Sequence, residues 1–149
     1  MNKLVAYSKY IVSTLVLIAF ILLAFKCGAY KSGSIVMLES SGYEMIFGKY
    51  SNGTHIFGFN TTGFVMIISM FLSVIILYFE KFFGKYTRLL SIVLLLTSAV
   101  LFLMLPSSVV HISIPKANMF TSLPIIIIGA NLLFVTALFS IFVLVVKDE

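Results

Sequence analysis

The stretch GYEMIFGKYSNGTHIFGFN, Gly42 to Asn60, reads differently from everything around it. It alternates, carries charge, and has Asn52-Gly53 at its centre. Asn-Gly between alternating runs is the strongest short hairpin signal, because both central residues of the tight turn need positive φ. With Asn52 and Gly53 as the loop, Ser51 pairs with Thr54, Tyr50 with His55 and Lys49 with Ile56. Gly48 then faces Phe57, Phe47 faces Gly58 and Ile46 faces Phe59. Each glycine lies opposite a phenylalanine, whose ring covers backbone that would otherwise be bare. Ile46, Tyr50, Phe57 and Phe59 share one face, with Glu44 and His55 toward its ends. The other face is mixed: Tyr43, Met45, Phe47, Lys49 and Ile56.

A lone hairpin is marginal in water. The segment SIVMLE, 34–39, extends the strands at 43–50 and 54–60 to a three-stranded antiparallel sheet. A fourth strand is expected at 108–114, SVVHISI, which alternates around His111 between Pro106 and Pro115. Docked on an edge of the same sheet, it covers an otherwise open row of N–H and C=O groups.

On either side of the stretch lie apolar runs at 10–25, 61–79, 89–105 and 124–146, none holding a charge. A helix crossing a bilayer needs about 20 such residues. Helices are expected near 7–26, 61–80, 89–106 and 124–146, the first lengthened by Tyr7 and a snorkelling Lys9. Of the 149 residues, 61% are hydrophobic and 10% charged. Soluble domains are about 45–50% apolar and about 25% charged. Lipid is the solvent that tolerates the excess. The chain thus reads as one integral membrane domain, a four-transmembrane-helix bundle. Its outer segments are 27–60 and 107–123, with a small extracytoplasmic antiparallel β-sheet.

The first run has a competing reading. Lys3 and Lys9 before an apolar core, with the small residues CGA at 27–29, resemble a secretory signal peptide. Lys26 directly before Cys27 argues against a lipoprotein signal. The uncleaved helix is favoured, because its apolar run exceeds the usual signal core of about 7–15 residues.

Lys3, Lys9, Lys81, Lys85, Arg88 and Lys147 fall on one side of these spans, and Lys26, Lys31, Lys49 and Lys116 on the other. The denser cluster, EKFFGKYTR at 80–88, marks the cytoplasmic side, with both termini there and the plasma membrane as location. Tyr78, Phe79, Phe82, Phe83 and Tyr86 form an aromatic belt at that surface. Glu80 pairs with Lys81 or Arg88. The net charge of +5 is scattered between the apolar runs. It therefore suits lipid headgroups and topology signals and implies no nucleic-acid partner.

Inside the spans, Ser69 and Ser73, Ser91 and Ser98, and Gly129, Thr136 and Ser140 supply small residues for helix contacts. Asn131 is the most polar residue of any span, read as capping an interhelical hydrogen bond or lining a cavity.

The layout resembles the claudin-like four-helix membrane proteins, whose first extracellular segment forms a small sheet to which the second adds a strand. That family's Trp and paired-Cys signature is missing: the chain has no Trp and the single Cys27. Junction-forming activity is therefore not implied. The motif SGYEMIFG, 41–48, and the Ile/Phe/Lys/Asn-rich composition are similar to small four-helix membrane proteins of low-GC Gram-positive bacteria, a group that implies no activity.

The residues give no enzyme. His55, His111, Glu39, Glu44 and Cys27 lie in the outer segments, but no spacing matches a metal site, and no cofactor is implied. No histidine or acid shares a span with a serine, as an intramembrane nucleophile requires. No ionisable residue lies inside a run, as proton-coupled transport usually needs. The glycosylation patterns NGT at 52–54 and NTT at 60–62 fall on the turn and at a helix start. The expected function is a non-enzymatic accessory or interaction module whose outer sheet contacts another membrane or envelope protein. Its candidate partner-binding residues are Tyr43, Phe47, Ile56 and His55. The alternative is a small channel or transporter subunit for an uncharged or lipophilic solute. The sequence sets no oligomeric state.

Overall fold

In the computed structural model the described residues are 2–32, 35–112 and 120–148. The chain is mostly helical. Its elements in order are α1 (Asn2–Leu22), β1 (Lys26–Ser32), β2 (Ile35–Ser41), α2 (Gly42–Phe47), β3 (Lys49–Ser51) and β4 (Thr54–Phe57). These are followed by α3 (Thr61–Tyr78), the helical turn α4 (Glu80–Phe83), α5 (Lys85–Ser108), β5 (Phe120–Ser122) and α6 (Pro124–Asp148).

Among the described residues, three helices are long and apolar enough to cross a membrane: α3, α5 and the stretch Pro124–Val146 of α6. The apolar part of α1, Ala6–Leu22, is shorter. The four long helices pack in a ring: α3 on α5, α5 on α6, α6 on α1 and α1 on α3. One core runs through them, from Val12 and Val16 to Met66, Met70, Leu95, Phe102 and Leu133. Their outward faces expose Leu17, Ile68, Val93, Leu103, Val135 and Phe142. Apolar side chains in such density outside as well as inside suit hydrocarbon rather than water.

Close packing of α5 on α6 depends on Gly129. A Cβ there would lie 2.5 Å from Cζ of the buried Phe102. The missing side chain lets the ring lie against the α6 backbone, the use small residues have between helices in lipid.

At one end, two small antiparallel sheets form a cap. The first has the order β2-β1-β5 and the second is the hairpin β3-β4. In the first, Gly28 pairs with Ser122, Ala29 with Thr121 and Tyr30 with Phe120. The strand leaving α1 is thereby hydrogen-bonded to the strand entering α6.

The hairpin turns at Asn52 (φ 50°) and Gly53 (φ 76°), with Ser51 opposite Thr54 and Tyr50 opposite His55, as the sequence implies. Beyond those pairs the expected register fails: a bulge sets Lys49 opposite Phe57 instead of Ile56. The expected strand at 43–50 is a helix over most of its length. Ser41 and Glu44 form a capping box, with Glu44 N–H donating to Ser41 Oγ (3.2 Å) and Ser41 N–H donating to Glu44 Oε2 (2.8 Å). Two N–H groups satisfied reciprocally start a helix where alternation alone suggested extension. The predicted pairs Gly48–Phe57, Phe47–Gly58 and Ile46–Phe59 are therefore absent.

Three further corrections follow. The segment at 35–41 does not extend the hairpin but pairs with β1, in a part of the outer segment where no strand was expected. The last turn of α1 unwinds at 23–25, ahead of β1 at Lys26. Helix α5 also runs through Pro106 to Ser108. A proline in a last turn forfeits one backbone hydrogen bond. Ser107 Oγ (to Met104 O, 2.8 Å) and Ser108 Oγ (to Leu105 O, 3.0 Å) satisfy carbonyls there.

The expected strand at 108–114 is thus shortened, and 113–119 and Ser34 lie outside the described residues. What survives docks where a fourth strand was expected, on the hairpin. Phe57 and His111 form an antiparallel bridge, Gly58 N–H donates to Val110 O (2.8 Å), and Ile112 N–H donates to Ile56 O (3.0 Å).

Candidate functional site

The four candidate partner-binding residues do not converge on one surface. Tyr43 lies half-buried on α2, its hydroxyl donating to Phe20 O at 3.0 Å and its ring edge-on to Phe20. Burial raises its phenol pKa. Ile56 is buried in the core. Phe47 is exposed, its ring edge near Phe64. His55 is half-buried and stacked flat on Tyr50, centroids 4.2 Å apart and planes 2° from parallel. Tyr50 itself is 71% exposed. Phe47 and Phe59 are accessible beside Phe64, and the Tyr50–His55 pair is accessible at the tip of the hairpin.

Beneath that tip the cap is tied together by side chains. Tyr30 hydroxyl and His111 Nδ1 are hydrogen-bonded, and the rings of both lie 5.9 Å from the ring of Phe57. These residues come from β1, the segment after α5, and β4, so one cluster joins the two connections at this end of the helices. Burial pushes the Tyr30 phenol up to about 12. Cys27, fully buried on the same strand, has its thiol pushed up to about 11 by burial, against the opposing pull of a backbone hydrogen bond from Gly42. A thiol so poised is a small apolar side chain, not a nucleophile.

Lys49 links the two sheets. Its Nζ donates to Glu39 O (2.7 Å) and Glu44 Oε2 (3.0 Å). Asn60 caps α3 by accepting from Gly63 N–H (3.2 Å), and its Nδ2 donates to Ser108 Oγ (3.0 Å). Asn60 is 1% exposed, which removes it as a glycosylation acceptor.

The opposite end of the helices holds a polar site whose Glu80 pairing was expected but whose burial was not. Arg88 is fully buried. Its Nε donates to Glu80 Oε1 (3.0 Å) and its Nη2 to both Glu80 Oε2 (2.7 Å) and Ser8 Oγ (3.0 Å). Glu80 was expected to pair with Lys81 or Arg88; it pairs with Arg88. The two-bonded fork fixes the guanidinium plane. The arrangement joins α4, α5 and α1.

The signal for burial was present in the spacing. Arg88, Ser91, Leu95, Ser98, Phe102 and Leu105 follow each other at helical intervals and are all buried, so Arg88 prolongs the inward stripe of α5 by one turn. Counting along both helices from the Phe102–Gly129 contact brings Ser91 opposite Ser140. Among the described residues both hydroxyls are buried with no hydrogen-bond partner, as is Arg88 Nη1. Unsatisfied donors gathered in a low-dielectric interior are costly.

Around this end, Tyr78, Phe79, Phe82, Phe83 and Tyr86 are all exposed, as an aromatic belt requires. Lys9 Nζ lies 5.4 Å and 5.3 Å from the ring centroids of Tyr10 and Tyr78. A cation seated between tyrosines on an apolar surface is the interfacial pattern of helices that meet headgroups.

Asn131 is exposed and lines a groove of about 240 Å³ between α5 and α6. It makes no hydrogen bond among the described residues, so of its two expected roles the interhelical hydrogen bond is not seen and the lining of a cavity is. The chain matches no protein-family model, no curated protein and no solved structure.

Proposed function

We propose that the chain is a four-span integral membrane protein of the plasma membrane, whose folded cap is an extracytoplasmic docking module for another membrane or envelope protein. Support for the fourth span comes from α1. It buries Ser8, Val12, Val16 and Ala19 at helical spacing while exposing Ile11, Leu17, Ile18 and Ile21. A helix packed between two that can cross the bilayer lies at their depth. That packing also supports retention of α1 over its removal as a signal peptide. The Arg88 end, with its lysines and aromatic collar, is the cytoplasmic side in this reading.

The observation that carries the docking reading is the Tyr50–His55 stack, held by a cap locked to both the first and last helices. A rigid aromatic pair costs little entropy to bury against a partner, and such residues dominate interface energetics. No catalytic residue is proposed. A photo-crosslinking amino acid in place of Thr54, beside the stack, is expected to capture a discrete membrane or envelope protein in native membranes. Tyr50→Ala and His55→Ala should abolish that product while leaving the protein folded. An unchanged product in both variants would reject the stack as the contact.

The buried hydroxyls of Ser91 and Ser140 near Arg88 favour one second reading, a channel or transporter subunit for an uncharged solute. Flux into liposomes containing only this protein separates the readings. Solute uptake abolished by Ser91→Leu would establish transport.

A further inference from the structure

Asn131 lies within α6, seven residues beyond its first residue Pro124. At 1.5 Å per residue that is roughly 10 Å along the helix, inside a hydrocarbon layer about 30 Å thick. The membrane reading above places this face against lipid tails. Lipid tails offer no hydrogen-bond partner, and a bare amide there is expensive. The carboxamide carries two donors and an acceptor oxygen, so it calls for an amide-like partner at its own depth.

The surface around it is a groove lined by apolar side chains apart from Asn131 itself. Ala99 and Ala130 form a shallow floor to the groove, and Val100 and Phe134 its sides. Along α6, Ile128, Asn131, Val135, Leu138, Phe142 and Val145 are all exposed. They alternate at intervals of three and four, the seam of two parallel helices crossing at about +20°.

We infer that the chain forms a parallel two-fold dimer through this face of α6, with Asn131 hydrogen-bonded to Asn131 of the partner subunit. A two-fold axis along the membrane normal brings the same residue to the same depth by symmetry, and two carboxamides satisfy each other reciprocally. A different protein would need a polar residue at this one level. A single asparagine in an otherwise apolar seam also fixes the register of the pair.

The dimer rests on α6 lying in the bilayer, and the experiment separates the two claims. In a Cys27→Ser background, Leu138→Cys is oxidised in native membranes, with Ile68→Cys on the exposed side of α3 as the control. Alkaline extraction of each variant is run in parallel. The expected result is a disulfide-linked dimer through position 138 and none through position 68. Asn131→Leu should weaken association about tenfold, equal to about 1.4 kcal/mol, and Asn131→Gln should retain it. Single-molecule photobleaching of the unmutated chain across protein-to-lipid ratios gives an independent count. Monomers at every density, equal crosslinking at both positions, or undiminished crosslinking in Asn131→Leu would overturn the dimer alone. Release by alkaline extraction would overturn the membrane reading and the dimer with it.

Discussion

Arg88 and Glu80 meet through two hydrogen bonds, of 3.0 Å and 2.7 Å, with the arginine side chain fully enclosed and the glutamate 12% exposed. Removing one partner of such a pair leaves an uncompensated buried charge. Glu80→Gln is therefore expected to destabilise the fold by about 3–5 kcal/mol. Adding Arg88→Met should recover most of that loss, because an apolar chain of similar length needs no counter-charge. Unfolding midpoints in mild detergent, compared across the single and double variants, provide the check.

The capping box of α2 makes a second, smaller prediction. Ser41→Ala removes the acceptor of the Glu44 N–H and should cost about 0.5–2 kcal/mol. Glu44→Ala should cost more, because Glu44 also holds Lys49. Hydrogen exchange at the amides of 45–47 should quicken in both variants, while exchange within α5 stays slow.

Gly129 gives a steric test. Gly129→Val places carbon where the Phe102 ring lies, and overpacking of this kind costs about 1–3 kcal/mol. Combined with Phe102→Leu, the substitution should lose much of its penalty. Additive losses in a double-mutant cycle would argue that the two positions do not touch.

The cap should weaken in alkali. Burial carries the Cys27 thiol from 9.0 to about 11 and the Tyr30 phenol from 10.0 to about 12. Between those values the unfolded chain has lost protons that the folded chain keeps. Stability accordingly falls as pH rises, beginning near 9.0 and complete by about 12. Thermal unfolding followed over this range should show the decline, and Tyr30→Phe should remove its upper part. At neutral pH Cys27 should resist alkylation until the protein is denatured.

The comparison between sequence and fold is most instructive within 41–60. The Asn52-Gly53 turn and its first two pairs were legible because a two-residue loop leaves one way to continue. The strand at 43–50 was misread because eight residues of alternation also fit a short helix, and Ser-x-x-Glu at 41–44 tips the balance. Lys49 could not then keep its place, since Gly48 closes α2 and the hairpin begins one residue later. The pairing of β1 with β5 was not legible, because it joins segments from opposite ends of the chain whose own patterns are short. Arg88 was legible in principle: as a charge it marks the end of a span, yet its spacing from Ser91 and Leu95 aligns it with the buried stripe. Asn131 stood out as polar, but which way it faced depended on the packing of α5 against α6.

The β1–β5 pairing also orders events during synthesis. β1 emerges early and finds β2 at once on one side. Its other edge waits for a strand made only after α3 and α5. Until then it is an unpaired edge, open to any passing strand. The sheet behaves as a clasp that can shut only when α6 arrives, and a ribosome stalled within α5 would release a chain with that clasp still open.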